Sequence, residues 1–378
     1  MKGERFYPYS VNIELTLACN MRCLHCGSTA GRARRDELEA AELARVFRGL
    51  AALGCREVCL LGGEPFLRKD WQEVAASACR EGLKVLFITN GYAVGPEVVR
   101  GLRRLGGVDR IGVSLDGPTA EVHERIRGKA GSFEKARRAA AMLRDAGFET
   151  GVITTLSRIN FPHLERMKDM LRGQDLTWQI QTAAPQGRRF DRRFVLSPRQ
   201  FYEAGRLISS WRATLPVREL PVCGSHDFGY FSRVLRNYGE LPDWHGCGAG
   251  LYTLGIMSDG RVKGCLCQHE DFVEASVRRR GIEAIWRDRR LFARYRRFDP
   301  SMLEGDCAGC PHGPACRAGC SNLSYVVTGS TYSNPYCFHR LESKGIVRPG
   351  PPAARKARPR GGKGAFSLPD GRKKPSCL

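Results

Sequence analysis

Cys19-Asn20-Met21-Arg22-Cys23-Leu24-His25-Cys26 decides the reading of this chain, because it sets three thiols in a CxxxCxxC arrangement within one short loop. Thiolates suit iron–sulfur clusters, whereas a tetrahedral zinc site would still need a fourth protein ligand. Three thiolates leave one iron of a cluster open. An open iron can chelate the amino and carboxylate groups of a methionine moiety, and an electron from the cluster can then split a sulfonium carbon–sulfur bond.

The loop follows a strand-like apolar run, Val11 to Leu15, and similar runs recur at Val58 to Leu61, Val85 to Thr89, Ile111 to Leu115, Thr150 to Leu156 and Thr177 to Gln181. Helical patterns lie between them at Asp36 to Leu53, Asp70 to Arg80, Pro96 to Leu105, Phe133 to Asp145 and Phe161 to Leu171. This alternation predicts an α/β fold, a parallel sheet with crossover helices. Six strands are too few for the usual closed eight-stranded barrel. They fit a partial barrel or an open doubly wound sheet, with the chemistry in the loops after the strands. The motif residues fall in those loops: Thr16 to Cys26, Gly62 to Pro65, Asn90 with Gly91, and Asp116 to Pro118. One composite site is expected.

The 378 residues suit two domains, or a barrel with an appended module. Apolar residues make up 42% of the chain without a run long enough to span a bilayer, so no membrane partner is expected. The N-terminal MKGERFYPYSVNIEL lacks the apolar stretch of a signal peptide, and a cytoplasmic location is expected. A formal charge of +22 raises the question of nucleic acid. Its distribution weakens that reading: Pro349 to Leu378 carries eight basic residues against one acidic residue, Asp370, in a Pro/Gly-containing tail. Of sixteen cysteines, eleven are concentrated at positions 19 to 26 and 247 to 337. Chains of this length have little need of a disulfide scaffold, so metal ligation is the favoured reading. Cys55, Cys59 and Cys79 lack ligand spacing and read as packing residues, and Cys377 lies in the tail.

The CxxxCxxC loop, with a strand before it and a helix after it, resembles the radical SAM superfamily, whose members cleave S-adenosylmethionine (SAM) to methionine and a 5'-deoxyadenosyl radical. Gly62-Gly63-Glu64-Pro65 resembles the family's GGEP segment, whose glycines admit close backbone approach and whose carbonyl or carboxylate groups meet the methionine ammonium. Read alone, it would be a strand-ending turn. Thr89-Asn90-Gly91 and Ser114-Leu115-Asp116-Gly117-Pro118 are similar to family segments after strands three and four. Ser114 is then a ribose or carboxylate partner, while Asn90 and Asp116 either touch the cofactor or form turns. His123, Arg127 and Gly128 repeat an HxxxRG pattern of peptide-modifying relatives. Arg127 pairs either with the SAM carboxylate or with a neighbouring acid. Gln179, Gln181 and Gly187, at the end of strand six, face the adenosine or substrate side.

The second cysteine set is more specific. Cys247, Gly260 and Cys265 match Cx12Gx4C; Cys307, Cys310, Cys316 and Cys320 match Cx2Cx5Cx3C; Cys337 closes the series. This resembles the SPASM module of radical SAM enzymes, although short Cx2C pairs also occur in zinc sites. The resemblance implies three 4Fe-4S clusters, one that binds SAM and two auxiliary ones. One auxiliary cluster takes Cys307, Cys310, Cys316 and Cys337; the other takes Cys247, Cys265 and Cys320. Relatives complete the latter with a cysteine where Thr253 stands, so Cys267 or Cys223 supplies the thiolate or the corner stays open.

The expected architecture is a partial (β/α)6 radical SAM barrel over 1–195, a bridging region over 196–245, a SPASM domain over 246–342 and a basic flexible tail over 343–378. The resemblance implies an oxidoreductase that matures a ribosomally made peptide by oxidation or cross-linking. The alternatives are a small-molecule substrate such as a tetrapyrrole or sugar derivative, and sulfatase-type maturation. The last is disfavoured by Leu266, which stands where those relatives carry a basic aspartate. Expected partners are the peptide and a reducing protein such as flavodoxin or ferredoxin. The first strand starts too early for a fused leader-binding domain, so a separate protein or the enzyme's own surface recognises any leader.

Overall fold

The computed structural model describes residues 6–235, 239 and 244–347. Most of the expected basic tail, including Cys377, lies outside the described residues.

The six expected runs become β1 (Ser10–Thr16), β2 (Glu57–Gly62), β3 (Lys84–Thr89), β4 (Val108–Ser114), β5 (Glu149–Leu156) and β6 (Thr177–Thr182). They alternate with α1 (Ala40–Ala52), α2 (Trp71–Arg80), α3 (Pro96–Leu105), α4 (Ala120–Arg127), α5 (Ser132–Asp145) and α6 (Leu164–Leu171). Helix α1 begins later than its sequence pattern suggests because Glu37 is engaged elsewhere. One of its carboxylate oxygens accepts from the Thr16 hydroxyl (3.0 Å), Leu17 N–H (2.8 Å) and Arg34 N–H (3.0 Å), which holds the preceding segment as a loop. Helix α4 was absent from the sequence reading: its eight residues, AEVHERIR, show too short an apolar stripe to register. Thr119 caps its start and Gly128, at φ 64°, ends it.

Beyond β6 follow α7 (Pro198–Thr214), β7 (Val222–Gly224), β8 (Thr253–Ile256), β9 (Arg261–Lys263) and β10 (Ala275–Ser276). The chain then turns helical in short pieces: α8 (Ile282–Arg287), α9 (Ala293–Arg296), α10 (Gly313–Cys316), α11 (Ser321–Thr328) and α12 (Phe338–Ser343). All strands join one sheet in the order β10-β9-β8-β1-β2-β3-β4-β5-β6-β7. Pairing is parallel from β8 through β7 and antiparallel only at β8–β9 and β9–β10. The partial parallel barrel is thus present, and the cysteine-rich half continues its sheet. These added strands are two to four residues long, too short to show a period of two.

Side chains alternate across this sheet. Val11, Ile13, Leu15, Val58, Leu60, Val85, Phe87, Ile111, Val113, Trp178 and Ile180 enter the main core with apolar residues of the crossover helices. The intervening residues, among them Glu14, Cys59, Ser114, Gln179 and Gln181, therefore line the opposite, inner face. Among the described residues no helix is long and apolar enough to cross a membrane.

The C-terminal end of the described chain is pinned by Phe338, which is 0% exposed. Its ring lies 5.0 Å from Phe201 and 5.4 Å from Tyr202, and a Cβ added at Gly205 or Gly229 would fall 2.1 or 2.0 Å from it. Phe338 follows Cys337 directly, so the same packing seats that thiol. Replacing Phe338 with Ala should cost about 3–5 kcal/mol through the cavity left. A clearly lowered thermal midpoint, together with a weaker hold on iron near Cys337, is the expected result. An unchanged midpoint would contradict the packing role.

Candidate active site

The loop after β1 is held at both ends by main-chain bonds: Cys19 N–H donates to Gly31 O (3.0 Å), Arg22 N–H to Arg127 O (3.1 Å) and Leu24 N–H to Ile126 O (2.9 Å). Each thiol also receives an N–H donor. Asn90 Nδ2 points at Cys19 Sγ (3.8 Å), Arg127 Nη1 at Cys23 Sγ (3.8 Å) and Ala30 N–H at Cys26 Sγ (3.3 Å). Such donors stabilise negative charge on sulfur and tune a cluster's potential. Burial pushes the Cys19 thiol up to about 11 and raises Cys23 as well, the latter against the field of Arg127.

The Gly62-Gly63-Glu64-Pro65 segment packs against this loop from the end of β2. A Cβ on Gly62, at φ 148°, would lie 2.3 Å from Thr16 O, and one on Gly63 would lie 2.1 Å from Ala18 O. Only glycine permits that approach. Glu64 is wholly buried and accepts from Thr89 Oγ1 (2.7 Å), Asn90 N–H (2.8 Å) and Phe66 N–H (3.4 Å), while Pro65 opens a short 3-10 turn. Burial raises its carboxyl to about 7, in opposition to those hydrogen bonds.

Asp116, after β4, and Arg127, at the end of α4, form a buried ion pair of 2.6 Å. Asp116 also accepts from Thr155 N–H (2.8 Å), and its own N–H donates to His123 Nδ1 (3.1 Å). Burial opposes both charges, yet their attraction outweighs it: Asp116 is held below the usual carboxylate range and Arg127 is pushed up. Burial pushes His25 and His123, beside this pair, down to about 4. Of the two roles open to Arg127, the structure shows the acid anchor. Ser114 ends β4 half-buried, and Ser114, Ile153, Gln179 and Cys223 stand side by side across β4 to β7. Gln179 keeps a buried amide oxygen without a hydrogen-bond partner, on the inner face.

The thiols of the cysteine-rich half fall into two groups, whereas Cys223, the alternative fourth ligand, is disulfide-bonded instead. Cys307, Cys310, Cys316 and Cys337 all line one cavity of about 160 Å³. Burial raises Cys316, with the fields of Cys337, Cys307 and Cys310 adding to it. Cys247, Cys265, Cys267 and Cys320 form the second group: Cys265 and Cys267 share a hydrogen bond, Cys247 feels Cys320, and Cys320 feels Cys267. Cys247 Sγ also lies 3.2 Å from Ser321 Oγ. Cys267 is exposed, yet desolvation acts on it, and the fields of His226, Lys263 and Asp227 reach it. The hydrogen bond from Cys265 holds the Cys267 thiol down and leaves that of Cys265 raised. Cys59 is buried on the inner face, where Cys267 reaches it electrostatically. Among the described residues no three His, Cys, Asp or Glu side chains converge as they would around a single metal ion. Donor sets made wholly of thiols fit iron–sulfur chemistry.

Arg189 escaped the sequence reading. Its guanidinium donates to Cys23 O (3.2 Å) and Ala30 O (2.8 Å), strapping the cysteine loop from beyond β6. Gly187 admits the strap, since a Cβ there would lie 2.2 Å from Cys26 O. Nothing in the spacing distinguishes Arg189 from its neighbour Arg188. Asp227 was missed for the same reason: no motif surrounds it.

Comparison with known proteins agrees with this geometry. The family model of the radical SAM superfamily matches residues 13–171, and that of the SPASM iron-sulfur cluster-binding domain matches residues 247–311. The mycofactocin maturase MftC of Mycolicibacterium smegmatis is 32% identical over 331 residues, 87% of this chain and 81% of its own. The AdoMet-dependent heme synthase of Methanosarcina barkeri is 28% identical over 349 residues, 89% of this chain and 98% of its own. SuiB of Streptococcus suis, crystallised with S-adenosylmethionine, superposes with a TM-score of 0.71 at 15% identity, covering 88% of this chain and 77% of that one. The fold and thiol sets therefore define an iron–sulfur enzyme that binds SAM. The chain belongs to the radical SAM superfamily and carries a C-terminal SPASM domain.

Removing one partner of a buried ion pair strands the other charge. Arg127→Met or Asp116→Asn alone should therefore cost about 3–5 kcal/mol, while the double variant should lose less than the sum. Thermal midpoints of the four proteins in the double-mutant cycle check this. Strict additivity would deny the coupling.

Proposed function

We propose that this chain modifies a ribosomally made peptide by a radical route, oxidising or cross-linking it. In this division 1–195 is the SAM-cleaving barrel, 196–245 a bridging region, 246–342 the auxiliary-cluster module and 343–378 a tail separate from the chemistry. One observation carries the reading: the thiol group around Cys267 adjoins the inner face of the same sheet whose first loop holds Cys19, Cys23 and Cys26. An enzyme that returned the hydrogen atom to its product would have no need of a second redox site there. The relationship to MftC, named a maturase, supports a peptide substrate. The SuiB fold, also crystallised with its precursor peptide SuiA, is compatible with one.

Three 4Fe-4S clusters follow from the three thiol groups: Cys19, Cys23 and Cys26; Cys307, Cys310, Cys316 and Cys337; and Cys247, Cys265 and Cys320 with Cys267 as fourth ligand. When bound, they supply the electron that cleaves SAM to a 5'-deoxyadenosyl radical and an acceptor for the electron the substrate gives up. The protein's own residues orient and enclose. Gly62 and Gly63 open the main chain to the methionine end of SAM, with Glu64 and Pro65 fixing its path. Asn90, Ser114 and Gln179 present polar groups to the rest of the cofactor. Asp116 and Arg127 lock the cysteine loop, and Arg127 supplies a donor to Cys23. An external reductant such as flavodoxin or ferredoxin feeds the first cluster, and any leader is read by a separate protein or by this enzyme's surface.

The heme synthase relationship favours a second reading, a tetrapyrrole substrate. Anaerobic incubation of the reconstituted enzyme with SAM, reductant and either peptides encoded beside its gene or tetrapyrrole carboxylates separates the two. Tandem mass spectrometry should show a mass loss on a peptide. Turnover of the tetrapyrrole alone would overturn the peptide reading. In an anaerobic crystal structure of the same protein, Cys267 Sγ should lie within about 2.5 Å of an iron. A separation above about 4 Å would remove Cys267 from the ligand set and leave an open corner, since Cys223 is disulfide-bonded here.

A further inference from the structure

We propose that Asp227 receives the proton lost when the substrate is oxidised. The inference rests on the peptide-radical reading above and names a catalytic group that reading leaves unassigned.

Asp227 follows β7 at the C-terminal end of the parallel sheet, the end at which barrels of this type carry their chemistry. It is 8% exposed. One carboxylate oxygen, Oδ2, is fixed by Thr182 at the end of β6, accepting from the Thr182 N–H at 2.7 Å and from its hydroxyl. The other, Oδ1, is buried without a hydrogen-bond partner. A buried acceptor left unmet by the protein is poised to take a donor from outside it.

The neighbouring buried carboxylates are committed. Glu14 accepts from the Ser258 N–H (3.1 Å) and hydroxyl (2.8 Å) and pairs with Arg34 (3.2 Å). Glu64 is occupied by Thr89, Asn90 and Phe66, and Asp116 by Arg127 and Thr155. Among the described residues, Asp227 Oδ1 is the buried carboxylate oxygen with neither a hydrogen bond nor an ion pair. Leu266, between Cys265 and Cys267, offers no proton acceptor. Asp227 follows β7, at the opposite edge of the sheet from β8 to β10; its field acts on Cys267 and Cys320, and the ionisable groups among the described residues that act on it or feel it include His226, Cys267, Cys320 and Tyr230. Among the described residues, Asp227 makes no hydrogen bond to any of these thiols. His226 is exposed, with Nδ1 3.1 Å from Ser225 Oγ.

The step balances. A substrate carbon loses one hydrogen atom, which ends in 5'-deoxyadenosine. The substrate radical gives one electron to an auxiliary iron–sulfur cluster, and an adjacent N–H, O–H or S–H bond gives its proton to Asp227 Oδ1 as the new bond forms. The substrate thus loses two hydrogens, one as an atom and one as a proton and an electron.

Asp227→Asn keeps the size of the side chain and an oxygen for Thr182, but cannot take a proton. In the reconstituted enzyme with a perdeuterated peptide, the ratio of modified peptide to 5'-deoxyadenosine should fall roughly 100-fold, the usual scale of one general base. Deuterium should still enter 5'-deoxyadenosine, and iron content should match the wild type, results that a merely structural role would not give together. If Asp227→Asn loses its iron, Thr182→Val is read instead; it leaves the carboxylate in place but frees its orientation, and the ratio should fall by a smaller factor. An unchanged ratio in Asp227→Asn with full iron, or in Thr182→Val where the former fails, overturns the inference alone. A wild-type enzyme that forms 5'-deoxyadenosine but modifies no peptide overturns the peptide reading and this assignment with it.

Discussion

Strand β1 is hydrogen-bonded in parallel on both sides, to β2 through Ser10↔Glu57 and to β8 through Ser10↔Thr253, and the rest of the molecule depends on that double pairing. The loop that leaves β1 carries Cys19, Cys23 and Cys26. Strand β8 lies between Cys247 and Cys265. One backbone ladder therefore sets the relation between the first thiol group and the group around Cys267, and no hinge intervenes between them. Glu14 reinforces the join from the inner face, since its bonds to Ser258 just after β8 and to Arg34 just after the cysteine loop tie three segments to one buried carboxylate.

Burial raises Cys19, Cys23, Cys316 and Cys320, so for these four a cation that offsets the thiolate charge favours loss of the proton, whereas the hydrogen bond from Cys265 holds Cys267 down. Cluster assembly and proton release are thus one event. The protein contributes fixed donors rather than free charge: Asn90 and Arg127 are positioned before any iron binds, and the charge of Arg127 is balanced by Asp116. This arrangement avoids reorganisation around the cluster, at the expense of a buried ion pair that tolerates no single substitution.

The barrel and both cysteine modules were legible in the sequence because their signals are local. Each of the six strands is five or more residues of apolar or alternating pattern, and each thiol group declares itself by spacing. What escaped depends on partners distant in the chain. Strands β7 to β10 are too short to carry a period and exist because a neighbour offers a ladder. Arg189 works only because residues 159 and 166 positions earlier expose the carbonyls of Ala30 and Cys23. Asp116, expected either to touch the cofactor or to form a turn, also balances Arg127, a pairing that no spacing rule encodes. Cys59 read as a packing residue, and it is buried, but its position on β2 turns it to the inner face near Cys267.

The central claim is that Cys19, Cys23 and Cys26 hold the cluster that cleaves SAM. Its most direct measurement is 5'-deoxyadenosine formation by anaerobically reconstituted wild-type protein and by Cys23→Ala, with SAM and dithionite and without any substrate. The account predicts accumulation in the wild type and none above background in the variant, while the iron held by the cysteine-rich half remains. Undiminished 5'-deoxyadenosine from Cys23→Ala would contradict it.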